Sequence, residues 1–400
     1  MAEGLTRSEK FVSELCKRAF LKLWTHPNPK GKSDKELTDC LVVCGDHVII
    51  ISVKENEYKY TGDSTGENRW EKNAINKSVS QIYGAQRWIE GVDKIERADG
   101  RFIYLPPKEN RKYHRIAVAL GSKGEISLKW GDFGKGFIHL CDEYSINALF
   151  NLLDTITDFT QYLVASETFA REGKLIHTTS PEDMIAFYLL NGYSFEIDES
   201  EHGKPDALIL GDDLWKNFFG SEDHLKMKES FKESYKWDRL IEEFAHDTLT
   251  DGMFDMHSKE ISKDESALVA MASEPRGHRA NLAESFMELF EGEGVKIKSR
   301  AVQGRSGFGY VFLIGSSEER ESRAKELALR SFVARKKLPD AHTIIGIATD
   351  RPGTSKIGYS SDIAYIHIPE WTHELEDKIT RMQDELGYFQ GECKLKNNEK

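Results

Sequence analysis

Two acids and a lysine bracket a pair of apolar runs in the stretch KELTDCLVVCGDHVIIISVKE, residues 35–55: Glu36 and Asp39 precede the run 41–44, and Lys54 follows the run 48–51. Between the runs stands Gly45-Asp46, a dipeptide suited to a tight hairpin turn. A hairpin folded there brings Glu36, Asp39 and Lys54 to one end of two adjacent strands. Carboxylates so gathered can hold a divalent cation that neutralises a phosphoryl group and acidifies bound water. A lysine beside them adds positive charge for the transition state or orients the attacking water. The plainer alternative is a polar strand end with a surface ion pair, which is worth little.

The elements around this hairpin follow from apolar spacing. The runs are nearly continuous rather than alternating, so both faces of the strands are expected to be covered, as in the middle of a sheet flanked by helices. Phe11, Leu15, Ala19 and Leu23 predict an amphipathic helix over 8–24. Ile75, Val79, Ile82, Ala85 and Ile89 predict a second over 69–89, with Lys77 and Gln81 four apart on a neighbouring stripe. Further strands are expected at 101–105, 114–120 and 137–140, completing one mixed sheet. The densest basic cluster, Lys108, Arg111, Lys112, His114 and Arg115 around Tyr113, has the composition of a phosphate-contacting loop, with Lys112 and Arg115 as its candidates, and equally of a surface hairpin.

Glu36-Leu-Thr-Asp39 and Ser52-Val53-Lys54 together resemble the signature of the PD-(D/E)XK nuclease superfamily, in its resolvase and exonuclease branch. The sequence departs from that signature at Ser52, where glutamate is usual. The resemblance implies a restriction-endonuclease-like fold over roughly the first 140 to 170 residues and a Mg²⁺ or Mn²⁺ cofactor. It implies metal ligation by Asp39, by Glu36 and by the Val53 carbonyl, with Lys54 as the water-positioning base and Lys77 and Gln81 near the phosphate. Glu36, or else Glu14 on the first helix, supplies the carboxylate missing at 52, since a hydroxyl is a weak ligand for a hard cation. Residues 35–89 are also similar to a group of uncharacterised bacterial proteins that join such a hairpin to a helix carrying Trp70, Lys77-Ser78 and Gln81. The implied activity is hydrolysis of nucleic acid, DNA ahead of RNA, in bacterial defence or genome maintenance. The alternative is a nuclease-derived module that binds nucleic acid or protein without cutting.

Composition sets the remaining bounds. Four hundred residues suggest two or three domains, and 39% hydrophobic and 30% charged content fits a soluble globular protein; the predicted helices and strands make it α/β. We expect a nuclease-like domain over 1–172, an acidic, mainly helical segment over 173–270, and an α/β domain over 271–390. No apolar run approaches the ~20 residues that span a bilayer, so no membrane partner and a cytoplasmic location are expected. The net charge of −12 is uneven: residues 1–129 hold 23 Lys and Arg against 18 Asp and Glu, and residues 195–256 hold 7 against 17. The acidic middle is thus a candidate protein-binding face, or a solvated surface, while the first part remains compatible with phosphate. Five cysteines without C-x-x-C spacing predict buried thiols rather than disulfides or zinc.

Beyond the first domain the sequence predicts helices at 145–172, 221–248, 281–290, 318–337 and 371–386 and strands at 295–300, 310–314, 342–348 and 363–368. Asp154 and Asp158, four apart, form either a metal pair or, as we expect, part of an exposed helix face. Arg276, His278 and Arg279 at a helix start offer a weak phosphate contact.

Overall fold

The chain enters its first helix, α1 (Arg7–Trp24), through a capping box: the Thr6 hydroxyl accepts from the Glu9 amide, and the Glu9 carboxylate accepts from the Thr6 amide at 2.8 Å. Both bonds satisfy amides that a helix start leaves without a partner. The structure is a computed structural model that describes residues 5–61, 63–126, 128, 131–171, 175–178, 180–196, 207–210, 213–250, 263–292, 297–304, 307–315, 320–351 and 360–390. It divides into two units, Met1–Lys228 and Glu229–Lys400. The acidic stretch expected as one segment over 173–270 is split by that division.

In the first unit α1 leads into an antiparallel meander, β1 (Thr25–Pro27), β2 (Cys40–Cys44) and β3 (His47–Glu55). Cys44 pairs with His47, so Gly45-Asp46 is the two-residue turn that the sequence predicts, with Gly45 at φ 54° where glycine carries no steric penalty. The crossover then runs through α2 (Ser64–Trp70), a π-helical turn (Glu71–Asn76) and α3 (Lys77–Gly91). A separate ribbon of β4 (Lys94–Glu96) and β5 (Phe102–Tyr104) follows, and then β6 (Lys112–Leu120), parallel to β3 from His47↔Lys112 to Glu55↔Leu120. After β7 (Gly131–Asp132) and β8 (Phe137–Cys141) the mixed sheet is complete in the order β1-β2-β3-β6-β8-β7.

Strand β3 is therefore paired on both sides and covered on both faces, which is why its apolar run does not alternate. Leu41, Val43, Val48 and Ile50 face α3 and pack with Ile75, Ile82 and Ala117. The alternate residues turn to the other face, where α1 packs on β2 and β3 and the ring of Phe20 meets those of Phe150 and Phe159 at 5.3 and 4.9 Å. Cys16, Cys40, Cys44 and Cys141 are buried, as expected; Cys393 lies outside the described residues.

Three expectations for this unit need correction. The strand expected at 101–105 forms β5, but it pairs with β4 in its own two-stranded ribbon and does not extend the main sheet. The helix expected over 145–172 is two, α4 (Glu143–Leu152) and α5 (Ile156–Arg171). At the break Thr155 gives its hydroxyl proton to Asp158 at 2.7 Å and accepts from the Asp158 amide, which turns Asp154 and Asp158 inward. Both are buried, so neither belongs to an exposed face. The unit closes with β9 (Leu175–His177), α6 (Pro181–Leu190), β10 (Ala207–Ile209), α7 (Leu214–Phe218) and all but the last two residues of α8 (Glu222–Ser230), and β9 and β10 pair in parallel.

The second unit contains α9 (Ser234–Thr250), so the helix expected over 221–248 is also two. It continues with α10 (Lys263–Ala272), α11 (Arg276–Glu291), β11 (Lys298–Gln303), β12 (Phe308–Gly315), α12 (Arg320–Lys337), β13 (Thr343–Asp350), β14 (Ser361–His367) and α13 (His373–Leu386). Its sheet runs β11-β12-β13-β14 with only the central pair parallel, joined across α12. Arg276 and Arg279 are not surface phosphate contacts. Both are buried against Asp238, at 2.7 and 2.5 Å.

Two predictions follow from the buried charges and imidazoles. Asp238→Ala strands two buried guanidinium groups and should cost the second unit about 3–5 kcal/mol, read as earlier denaturant unfolding of that unit by hydrogen exchange on the whole chain; a change within ~0.5 kcal/mol would contradict the pairing. In the first unit, burial holds His26, His114 and His139 neutral, each lowered from 6.5 to about 3. An unfolded chain protonates them first, so their contribution is complete above pH 6.5 and is lost as the pH falls from there toward 3. Urea midpoints should drop with acidification across that window, and His139→Leu should flatten the slope by up to ~1.4 kcal/mol per pH unit.

Candidate active site

Strand β2 begins at Cys40, and the register Cys40↔Ile51 sets Thr38 and Asp39 opposite the last residues of β3. There the side chains take over from the backbone ladder. The Thr38 hydroxyl donates to the Ile51 carbonyl at 2.7 Å, and the Val53 amide donates to Asp39 Oδ2 at 2.6 Å. Asp39 is 1% exposed, and a buried carboxylate needs such partners to stay charged. Its second partner is Lys54, whose Nζ lies 3.1 Å from Oδ2 and 3.4 Å from Oδ1. By strand alternation Asp39, Ser52 and Lys54 share the α3 face. Lys54 keeps 27% of its side chain exposed, so the ion pair opens to solvent at the rim rather than lying sealed in the core.

Helix α3 covers that rim. Ser52, fully buried, donates its hydroxyl proton to Gln81 Oε1 at 2.8 Å, and Gln81 Nε2 points at Glu36 Oε1, 3.5 Å away. The segment before it, π-helical from Glu71 to Asn76, carries one more residue per turn than an α-helix, a distortion found disproportionately at functional sites. It lets Trp70 stay anchored, its indole Nε1 donating to the Asn56 carbonyl at 2.8 Å, while Gln81 reaches Ser52. Lys77, exposed, begins α3 one turn before Gln81. At the neighbouring strand end, Gly121 (φ 95°) lies so close to the Asn56 carbonyl that a Cβ there would stand 2.4 Å from its oxygen.

Glu36 completes the group. As a residue it is exposed, yet its carboxyl lies against the strand ends, where loss of water and the adjacent Asp39 carboxylate push its pKa up to about 7. Glu9 of α1 adds to that repulsion and Lys54 opposes it. A carboxylate pair held together against its own charge is what a divalent cation relieves. Among the described residues no group of three or more His, Cys, Asp and Glu side chains is arranged to hold a metal ion. A cation here would rest on the carboxylates of Asp39 and Glu36, with the Val53 carbonyl the remaining protein donor that the sequence singled out. Two carboxylates with water and substrate oxygens suffice for Mg²⁺.

Of the residues singled out in the sequence, Glu36, Asp39, Lys54 and Gln81 are gathered in one place, with Val53 and Lys77 beside them. Two are not. Lys112 pairs with His47 at the far end of β3, seven residues from Lys54 and roughly 23 Å away along the strand. Arg115 is committed to structure: its Nε donates to Gln86 Oε1 at 2.5 Å and its Nη1 to the Phe137 carbonyl at 3.3 Å. Glu14 is also outside the group, bound to Lys17 at 2.7 Å on an exposed stretch of α1. The α1 acid that acts on Glu36 is Glu9, which the pattern Thr6-x-x-Glu9 marks as a capping-box residue but not as a neighbour of the hairpin. The chain matches no family model, no curated protein and no solved structure.

The electrostatics of the acid pair give a direct check. An unfolded Glu36 titrates near 4.5 and the folded one near 7, so the ionised pair weakens the fold increasingly as the pH rises through that interval. Glu36→Gln should therefore raise the melting temperature at pH 8, by the equivalent of about 1 kcal/mol after solvent screening, and leave it unchanged at pH 4. Millimolar Mn²⁺ should raise the melting temperature of the wild type at pH 8 and have less effect on the variant. Equal differences at both pH values would remove the repulsion from the account.

Proposed function

We propose that the protein is a metal-dependent nuclease of the restriction-endonuclease-like kind, hydrolysing phosphodiester bonds of nucleic acid, with DNA the favoured substrate. The observation that carries this is the meeting of Glu36, Asp39, Lys54 and Gln81 at one end of the β2–β3 hairpin, on the face covered by α3. The mixed sheet with helices packed on the faces of its β2–β3 hairpin supports it, since a mixed sheet flanked by helices is what the PD-(D/E)XK resemblance implies.

In this reading Asp39 and Glu36 hold Mg²⁺ or Mn²⁺, which supplies charge neutralisation and a more acidic water. The protein's own part is positional. Asp39 is fixed by the Val53 amide, so its carboxylate is aimed before any ion arrives. Lys54, held beside it, brings an ammonium to within reach of the same oxygens, where it can orient the nucleophilic water and offset charge on the phosphoryl group. Lys77 and Gln81 present a cation and an amide from one helical face to the backbone of the substrate.

Ser52 favours a second reading. Its hydroxyl is spent on Gln81, so it adds nothing to a cation site, and Lys54 is already paired with Asp39; both suit a nuclease-derived module that binds without cutting. One experiment separates the two. End-labelled DNA and RNA are incubated with the protein in Mg²⁺ or Mn²⁺, beside Asp39→Ala and Lys54→Ala. The nuclease reading expects cleavage that each substitution reduces by about 10²-fold or more. Binding without cleavage in either metal selects the module, and cleavage indifferent to both substitutions rejects the site.

A further inference from the structure

Gln81 has two chemically different ends, and the structure fixes which one faces outward. The NH₂ end of the amide is turned toward Glu36 Oε1, 3.5 Å away, where it donates. The carbonyl end is left for Ser52, which gives it its single proton at 2.8 Å from a fully buried position. A fixed serine on a strand paired on both sides is a firm reference point; a half-buried glutamine on a helix is not.

We infer that Ser52 is a positioning residue: its hydroxyl holds the Gln81 amide in the orientation that offers N–H to the mouth of the site, making Gln81 a donor to an anionic oxygen. This rests on the proposed nuclease reading, in which that oxygen is a non-bridging oxygen of the substrate phosphodiester. The inference also gives the serine a purpose where the related signature carries an acid. A carboxylate at 52 would accept from the Gln81 NH₂ and turn the amide around, presenting its carbonyl oxygen to the phosphate and repelling it. With serine, the amide is a donor beside Lys77, and the helix contributes attraction at both positions.

The test measures binding of a fluorescein-labelled duplex oligonucleotide in Ca²⁺, which supports binding without requiring turnover, together with the side-chain amide signals of Gln81 in ¹⁵N-labelled protein. Ser52→Ala should weaken binding about fivefold, the effect of one lost hydrogen bond. Gln81→Ala should weaken it as much, and the double variant no further, since the two act as one unit. Ser52→Thr should restore wild-type affinity and the wild-type Gln81 amide signals, which Ser52→Ala shifts and broadens. Additive losses, or weak binding in Gln81→Ala with normal binding in Ser52→Ala, would overturn the inference while leaving the nuclease reading standing. If the wild type binds no oligonucleotide, or if Asp39→Ala leaves metal-dependent cleavage intact, the reading itself falls and takes this inference with it.

Discussion

One carboxylate ties the first unit together at the place where chemistry is proposed. Strand β2 begins opposite Ile51, four residues short of the end of β3, and the polar backbone beyond Ile51 would face no partner on that side. Asp39 and Thr38 fill the gap with their side chains, and a hydrogen bond to a charged acceptor of this kind contributes about 1.5–3 kcal/mol. The acid is therefore required for the sheet to close as much as for anything it does afterwards. Lys54 follows as its counter-charge, and the position of both is set by pairing rather than by side-chain preference.

Glu36 stands in contrast. Loss of water first, and then its closeness to Asp39 and Glu9, raise its pKa. Local strain of this sort, retained beside a well-braced partner, is the usual mark of a site that keeps stability in reserve for a ligand. The second unit has its own charges buried, Asp238 with Arg276 and Arg279, and Arg323 with Asp350 and Asp362. Each of these charges is answered by its opposite, and the arrangement reads as structure alone.

Much of this could be taken from the sequence because short-range chemistry dictated it. Gly45-Asp46 between two apolar runs left a single sensible turn, and the parity of Asp39, Ser52 and Lys54 followed from that turn. From β11 onward the second unit's strands and helices fell close to their predicted bounds for the same reason. Long-range partners were beyond reach. Arg115 and Lys112 lie in one basic cluster, yet strand alternation and the parallel register carry one under Gln86 and the other to the far end of the sheet. Asp154 and Asp158 have the spacing of an exposed helical pair, and only the break at Thr155 turns them inward. Glu9 carries a local signal, its capping box, that says nothing of a residue twenty-seven positions later. The link between Ser52 and Gln81 joins a strand to a helix, and no spacing rule encodes it.

The π-helical turn before α3 has a consequence for how the sequence can vary. Each residue of an α-helix advances about 100° around its axis, so loss of the extra one would swing everything downstream by that angle. Trp70 would keep its place by the Asn56 carbonyl, but Ile82 and Ala85 would leave the core and Gln81 would face away from the sheet. Length between Trp70 and Lys77 is accordingly under strict control: homologous chains should tolerate substitutions at the exposed Glu71, Lys72 and Asn76 and scarcely any indel.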